Sequence, residues 1–182
     1  MTRALYFVVD ALSFLLILAL VLRFWLPVLR ADFRNPLAQA ILKLTSPLVV
    51  PLRRLVPAFG RIDTATVVMT LAIQVLVLYV LAYIVGMSPA ASDVFVTALI
   101  KLLLLSIKMF FYSIFIHIIL SWVSPGTYNP VAALLRVIVE PVLSPFRRYI
   151  PPIGGIDISP IFAIIALQAL VILIDPLRPL QL

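Results

Sequence analysis

Four long apolar runs separated by shorter polar segments account for most of the chain. They extend approximately from Ala4 to Leu26, Thr66 to Met87, Val94 to Val123 and Ile158 to Ile174. A helix needs about 20 apolar residues to cross a hydrocarbon core of about 30 Å. Lipid admits only helices and closed barrels, and these runs lack the apolar-polar alternation of a barrel strand. The pattern therefore predicts four transmembrane helices.

The first run begins like a signal peptide, because Arg3 precedes the apolar residues. Asp10 interrupts the apolar region, however, and no small-residue cleavage pattern follows Leu26. We therefore expect this run to be retained as the first span.

A shift of 94 residues aligns two copies of a polar motif, PLRRLVPAFGRID from Pro51 and PFRRYIPPIGGID from Pro145. From Asn35 to Asp63, 11 of 29 positions are identical to their partners, and most of the matches are polar residues, proline or glycine, which chance similarity between apolar runs would not produce. The motif residues shared by the copies are Asn35, Pro36, Pro51, Arg53, Arg54, Pro57, Gly60 and Asp63, matched by Asn129, Pro130, Pro145, Arg147, Arg148, Pro151, Gly154 and Asp157. The prediction is an all-α membrane protein of two tandem parallel repeats, residues 1–88 and 94–182.

Each connecting segment is predicted to begin with a short amphipathic helix at the membrane interface. Asn35 and Asn129 can cap its free N–H groups, and the proline that follows each one suits the first helical position. The apolar faces comprise Leu37, Ile41, Leu44 and Leu48 in the first copy and Val131, Leu134, Leu135 and Ile138 in the second. Pro47 and Pro141 are expected to stop or kink these helices.

The second half of each motif combines an arginine pair, a glycine turn and an aspartate. Adjacent arginines on a helical turn point about 100° apart, so both cannot lie against lipid tails. The glycine can adopt positive φ, and Asp63 and Asp157 are placed to cap the next span. Three interpretations stay open for the arginines: anchoring to anionic lipid head groups, binding of a partner protein or head group, and a pore-lining re-entrant segment.

The composition excludes a water-soluble domain, since hydrophobic residues make up 64%, charged residues 12% and the mean hydropathy is +1.23. The net charge of +7 resides mostly in short loops, which favours anionic lipid over nucleic acid as the counter-charge. Nine of the fourteen basic residues lie in or beside the motif segments: Arg30, Arg34, Lys43, Arg53, Arg54, Arg61, Arg136, Arg147 and Arg148. The positive-inside rule then predicts cytoplasmic motifs and termini on the outer side.

Ionisable residues inside the predicted spans are candidate functional groups, because a charge in lipid is costly. The repeat alignment pairs Asp10 with Leu104, which lies between Lys101 and Lys108. One interpretation is therefore an ion pair between Asp10 and one of these lysines near the outer membrane surface. The alternative is that both lysines extend outward to the interface.

Three further polar residues lie within the spans. Gln74 and Gln168 are equivalent under the repeat and are expected to hydrogen-bond each other or a shared water; a substrate or ion site is the alternative. His117, the single histidine, is expected to form a hydrogen bond near the interface.

One histidine and no cysteine provide no metal site, and the chain lacks a catalytic triad, a phosphate loop and other catalytic motifs. We predict neither enzyme activity nor a cofactor.

The duplicated pattern of Asn-Pro, paired arginines, glycine and Ile-Asp between spans resembles the YggT family, which is related to the YlmG proteins of cyanobacteria and plastids. The resemblance covers nearly the whole chain, and it implies a bacterial inner-membrane protein without known catalytic residues. Family members are linked to osmotic stress and potassium homeostasis, and plastid relatives to cytochrome complex maturation and thylakoid organisation. The first copy departs from the second where Arg61 stands in place of Gly155.

The leading functional hypothesis from the sequence is a non-enzymatic membrane scaffold or assembly factor that supports osmotic and ion homeostasis. Its expected partners are anionic lipids, with a membrane protein or a second copy of the chain as further candidates, and no nucleic acid. The alternative is a small potassium or proton channel or transporter. In that case Gln74 and Gln168 are the mid-membrane polar residues that are candidates for lining the ion path.

Overall fold

The protein is described by a computed structural model for residues 2–60, 62–123, 129–150 and 157–181. Within these ranges the chain forms six α-helices and one short 3-10 helix. Their bounds are α1 Thr2–Val28, α2 Pro36–Arg53, α3 Thr64–Ile84, α4 Ala91–Val123, α5 Pro130–Tyr149, α6 Ser159–Ile174 and the 3-10 turn Asp175–Leu177. This confirms the predicted fold class.

The four longest apolar helices coincide with the four predicted spans. Helices α1, α3 and α4, together with α6 and its 3-10 extension, are each long and apolar enough to cross a membrane. With 33 residues, α4 is about 50 Å long and exceeds the hydrocarbon thickness, so it must tilt or protrude. The chain is therefore a multi-pass membrane protein.

Each repeat packs as a unit of three helices, and the two units share a core. Helix α1 contacts α2 and α3, and α4 contacts α5 and α6; the repeats meet through α3 with α4, α1 with α4, and α2 with α5. One apolar cluster includes Val21 of α1, Phe110 of α4 and Leu143 of α5. Trp25 joins the repeats as well, since its ring packs edge-on against Phe110 and its Nε1 donates to Ser106 Oγ at 3.3 Å.

Helices α2 and α5 begin as the sequence predicts. The Asn35 side chain accepts from Leu37 N at 2.9 Å, and that of Asn129 accepts from Val131 N at 2.9 Å. Asn35 has a second function, because its Nδ2 donates to the carbonyl of Pro130 at 2.7 Å, and no equivalent bond from Asn129 occurs among the described residues. The first turns of α2 and α5 are thus joined across the repeat boundary.

The sequence predicts that Pro47 and Pro141 stop or kink these helices, and the first of these two alternatives is wrong. Helix α2 continues through Pro47 and Pro51, and α5 continues through Pro141 and Pro145. Each proline removes a backbone hydrogen bond, but tertiary packing supplies most helix stability in a folded protein. Val49 and Leu143, which are fully buried, provide such packing between the prolines. The arginine pairs therefore come at the helix C-termini, where the helix dipole favours positive charge.

The predicted apolar faces differ in what they contact: that of α5 is buried in the protein except for Val131, whereas that of α2 is partly exposed. Leu134, Leu135 and Ile138 are buried in α5. In α2 the buried residues are instead Ala38, Thr45 and Val49, whereas Leu37 and Leu44 are exposed. Thr45 is turned inward because it binds a buried arginine of α1, and the exposed leucines lie where lipid tails would cover an interfacial helix.

We expect Asn35→Ala to destabilise the protein more than the matched change Asn129→Ala. Loss of a helix cap costs about 1 kcal/mol, and loss of the bond to the Pro130 carbonyl adds about 1 kcal/mol for Asn35 alone. Thermal unfolding of both purified variants in the same detergent provides the measurement. Equal losses would contradict a role for Asn35 in joining the repeats.

Candidate functional site

A tight turn leads from the first arginine pair back towards the membrane. Gly60 has φ +60°, as predicted, and Phe59 and Ile62 exchange two backbone hydrogen bonds of 3.0 Å around it. The carbonyl of Pro57 accepts from the Thr64 hydroxyl and ties the turn to the start of α3. Pro151 and Gly154 of the second motif and Arg61 of the first lie outside the described residues.

A buried arginine that the motif analysis missed lies beneath this turn. Arg23 of α1 is 3% exposed, and its Nη1 donates to Leu42 O at 3.1 Å, Thr45 Oγ1 at 2.8 Å and Ser46 Oγ at 3.1 Å, all in α2. The two hydroxyls in turn donate to carbonyls of their own helix, Ile41 and Leu42. Each hydroxyl therefore serves the guanidinium purely as an acceptor.

Asp63 connects this arginine to the motif. Its Oδ2 accepts from Arg53 Nη2 and from Thr66 Oγ1 at 2.8 Å, and lies 3.9 Å from Arg23 Nε. Asp63 stands at the N-cap position of α3 as predicted, but its carboxylate bonds mainly the side chains of Arg53 and Thr66, and a regular side-chain cap of the helix is not formed. Burial alone would raise the pKa of Asp63, but the hydrogen bonds from Arg53 and Thr66 outweigh burial and lower it. We call Arg23, Thr45, Ser46, Arg53, Asp63 and Thr66 the arginine network.

The arginine network is not fully satisfied. Arg23 Nε and Asp63 Oδ1 are buried, and neither has a hydrogen-bond partner within the described part of the chain. A buried polar atom without a partner costs about 1–3 kcal/mol. Among its buried atoms, the network therefore retains one donor and one acceptor that no described residue pairs.

The second motif forms a related but more exposed arrangement. Arg147 donates from Nε to Asp157 Oδ2 and from Nη1 to Glu140 Oε2, both at 2.8 Å. Asp157 Oδ1 accepts from Ser159 N at 2.9 Å, so the predicted cap is confirmed for this aspartate. Burial disfavours each charge, yet together these contacts outweigh it, so that the pKa of Asp157 is lowered and that of Arg147 is raised. In the second motif one arginine thus pairs with two acids, Asp157 and Glu140, whereas in the first motif one acid, Asp63, faces two arginines.

The repeat alignment explains the difference between the two sites. Arg23 is equivalent to His117, and its partner Thr45 is equivalent to Val139. His117 Nδ1 is buried and has no hydrogen-bond partner in the described ranges, so the predicted hydrogen bond is not formed by this nitrogen. The sequence did contain a sign that Arg23 is important, because it is a charged residue inside the first predicted span. Only the first repeat buries an arginine at this position.

Each arginine pair is divided between two roles. Arg53 and Arg147 are held by Asp63 and Asp157. Arg54 and Arg148 are exposed, and neither forms an ion pair or a side-chain hydrogen bond with the residues that the structure describes. Of the four arginines predicted to bind lipid or a partner, these two are therefore the ones whose guanidinium groups are unpaired within the described ranges.

An open cleft of about 660 Å³ adjoins the arginine network in the first repeat. Arg23, Ser46, Arg53 and Asp63 provide its polar lining, and Phe33 and Val50 contribute apolar surface. No group of three or more His, Asp or Glu side chains suited to a metal ion occurs in the described ranges. The cleft offers guanidinium and hydroxyl groups, which suit anionic or carbonyl oxygens.

Of the polar residues predicted inside the spans, four line a common cavity and Gln168 does not. Asp10, Gln74, Lys101 and Lys108 line one cavity of about 250 Å³, although no ion pair within the described residues includes Asp10. Gln74 is 5% exposed, whereas Gln168 is exposed on the surface of α6. A direct hydrogen bond between the two glutamines is therefore a wrong prediction.

We expect Asp63→Asn to destabilise the protein by about 3 kcal/mol, because it leaves the buried Arg23 without a counter-charge. The matched change Asp157→Asn should cost under about 1 kcal/mol, since an exposed ion pair is lost and asparagine keeps the cap. Chemical or thermal unfolding in detergent measures both. Combining Asp63→Asn with Arg23→Met should restore much of the loss; equal effects of the two asparagine variants would contradict the assignment.

Comparison with known proteins agrees with the duplicated organisation. The CCB3/YggT family profile matches the chain twice, at residues 2–84 and 96–178, which are offset by 94 residues. No solved structure matches the chain significantly.

Similar sequences extend over most of the chain. The protein PA0392 of Pseudomonas aeruginosa is 42% identical over 175 residues, covering 95% of this chain and 88% of that protein. YggT of Escherichia coli K12 is 32% identical over 168 residues, covering 92% of this chain and 87% of that protein. The chloroplastic YlmG homolog protein 2 of Arabidopsis thaliana is 39% identical over 57 residues, 30% of this chain and 21% of that protein. On these matches, the chain belongs to the CCB3/YggT family.

Proposed function

We propose that the protein is a non-enzymatic scaffold or assembly factor of the bacterial inner membrane that binds through Arg54 and Arg148. The observation that carries this proposal is the division of each arginine pair. Arg53 and Arg147 are fixed by aspartates, while their neighbours are exposed and have no partner in the described chain. Two oriented guanidinium groups on one molecule suit bivalent recognition of anionic groups.

The charge distribution supports a cytoplasmic position for the two motifs. Because two spans separate them along the chain, both motifs lie at the same membrane face. Nine of the fourteen basic residues lie in or beside the motif segments, and such clusters favour the cytoplasmic side. The termini are then periplasmic.

Anionic lipid is the first ligand for this face. A lysine or arginine near an anionic membrane surface contributes about 1 kcal/mol to binding. In the first motif, the turn at Gly60 and the contact of Arg53 with Asp63 fix the backbone that carries Arg54. Anchoring by charge alone does not require such a fixed backbone. This favours a partner protein or a specific head group as the second ligand. A contribution to osmotic and ion homeostasis rests on the family resemblance alone.

We expect Arg54→Gln/Arg148→Gln to lose recovery of specific membrane partners after crosslinking in cells, because the two free guanidinium groups are removed. The matched control, Arg34→Gln/Arg136→Gln, removes two exposed arginines from the same face outside the motif. Crosslinking followed by quantitative mass spectrometry compares both with the wild-type protein. If both double variants lose the same amount of crosslinked partner, the arginines act only through their charge at the membrane surface, and the scaffold proposal is contradicted.

A small channel or transporter is the second candidate, and the buried Gln74 beside a polar cavity favours it. If it is correct, purified protein in liposomes should conduct potassium or protons, and Gln74→Leu should abolish that flux. The Gln168→Leu variant is the control, since Gln168 lies on the outer surface of α6. Robust flux with this pattern would overturn the scaffold proposal; absence of flux would reject the channel.

A further inference from the structure

The cleft that adjoins the arginine network lies at the level where two spans end. Its lining includes Pro27, the penultimate residue of α1, and Asp63, the residue before α3. Arg23 lies five residues, or about 8 Å, before the end of α1. We call this space of about 660 Å³ the arginine cleft. Such a position is where the head groups of lipids border the hydrocarbon core.

Two buried atoms of the arginine network have no partner, and they are of opposite kinds. Arg23 Nε is a donor and Asp63 Oδ1 is an acceptor, and neither forms a hydrogen bond within the described residues. Both side chains line the arginine cleft, and they are only 4% and 9% exposed. Arg23 Nε lies 3.9 Å from the other oxygen of Asp63, which is too far for a hydrogen bond. A ligand group that both accepts and donates would satisfy the two atoms.

A hydroxyl is the smallest ligand group that can pair with both atoms. Its oxygen accepts a hydrogen bond, and its hydrogen can be donated to a second group. An ionised phosphate oxygen would pair with Arg23 Nε but could not donate to Asp63 Oδ1, and an ammonium group would do the reverse. The unpaired atoms therefore favour a hydroxyl.

The charges of the arginine cleft favour a negative group beside that hydroxyl. Arg23, Arg53 and Asp63 are the charged residues of its described lining, so two positive charges face one negative charge. The Arg53 side chain is 48% exposed, and a guanidinium has five N–H donors, so donors remain beyond its contact with Asp63. Guanidinium groups bind phosphate oxygens strongly. A phosphodiester with one negative charge balances this lining.

The apolar edge of the arginine cleft distinguishes a lipid from a soluble ligand. Phe33 and Val50 belong to the lining and are 44% and 45% exposed. A free phosphate would leave this apolar surface uncovered, whereas the acyl chains of a phospholipid would cover it. The cleft thus combines the contacts of a charged head group with those of its chains.

We propose that the arginine cleft binds a phospholipid whose phosphodiester carries one negative charge and whose head group carries a hydroxyl, as a glycerol head group does. The phosphodiester accepts from Arg53, and the hydroxyl accepts from Arg23 Nε and donates to Asp63 Oδ1. The acyl chains cover the apolar edge of the cleft. Arg54 and Arg148 are not part of this lining, so the proposal does not depend on the proposed function.

Native mass spectrometry of the full chain carrying Arg54→Gln/Arg148→Gln can measure the lipid preference without the arginines of the proposed function. Phosphatidylmethanol has the charge of phosphatidylglycerol but no hydroxyl, and phosphatidylcholine has neither a net charge nor a hydroxyl. We expect one phosphatidylglycerol to bind about tenfold more tightly than phosphatidylmethanol, which leaves the two buried atoms unpaired. Phosphatidylcholine should bind more weakly still. Equal affinity for the first two lipids overturns the proposal, because water then pairs these atoms.

Two pairs of matched variants test whether the lipid lies in the arginine cleft. Arg53→Gln should weaken phosphatidylglycerol binding about tenfold, since it removes a charge-assisted contact, whereas the equivalent change Arg147→Gln should not. Ala58→Phe fills the cleft from an exposed lining position and should block binding. Leu55→Phe places an aromatic ring at an exposed position outside the lining and should keep the starting affinity. Unchanged binding in Ala58→Phe overturns the proposal.

The remaining outcomes separate this site from its alternatives. Because Ala58 is exposed and outside the arginine network, its variant decides the outcome if Arg53→Gln fails to elute as a monodisperse species in gel filtration. Displacement of phosphatidylglycerol by inorganic phosphate identifies a site for a free anion and overturns the lipid assignment. If the wild-type protein retains phosphatidylglycerol but Arg54→Gln/Arg148→Gln does not, the lipid lies at those two arginines. That result overturns this proposal and leaves the proposed function intact.

Discussion

Hydrocarbon cannot accept a hydrogen bond, so the guanidinium of Arg23 must find its partners inside the protein. It finds them on α2, in the Leu42 carbonyl and the hydroxyls of Thr45 and Ser46, and it approaches Asp63 at the start of α3. One side chain of α1 thus contacts the other two helices of its repeat. The inward position of Thr45 and the burial of Asp63 both follow from this requirement.

The duplicated motif retains its arginine–aspartate contact while its surroundings have diverged. In the first repeat the aspartate is buried beside a second arginine; in the second it is exposed, and Arg147 gains Glu140 as another acidic partner. The first arrangement fixes α1, α2 and α3 together, whereas the second mainly orients an exposed arginine and caps α6. The first copy is therefore expected to contribute more to stability, and in both copies the second arginine has no ion-pair partner among the described residues.

Polar chemistry is concentrated at two separate levels of the bundle. The arginine network lies where α2 meets the C-terminal end of α1 and the start of α3, and the cavity lined by Asp10, Gln74 and Lys108 lies beside the N-terminal half of α1. Leu20 and Val21 are buried on α1 between the two. The polar groups therefore form two separate clusters along α1.

The sequence alone determined the four spans, the caps at Asn35 and Asn129 and the positive φ of Gly60, because each depends on residues that are close along the chain. Only the tertiary structure decided that helices continue through Pro47 and Pro141, that Arg23 is the centre of a network, and that Gln74 and Gln168 differ. The repeat alignment shows which positions are equivalent but not which neighbours they have. Helix α3 packs against α4 of the other repeat, whereas the main contacts of α6 are with α4 and α5 of its own repeat, so equivalent glutamines reach a buried cavity in one case and the outer surface in the other.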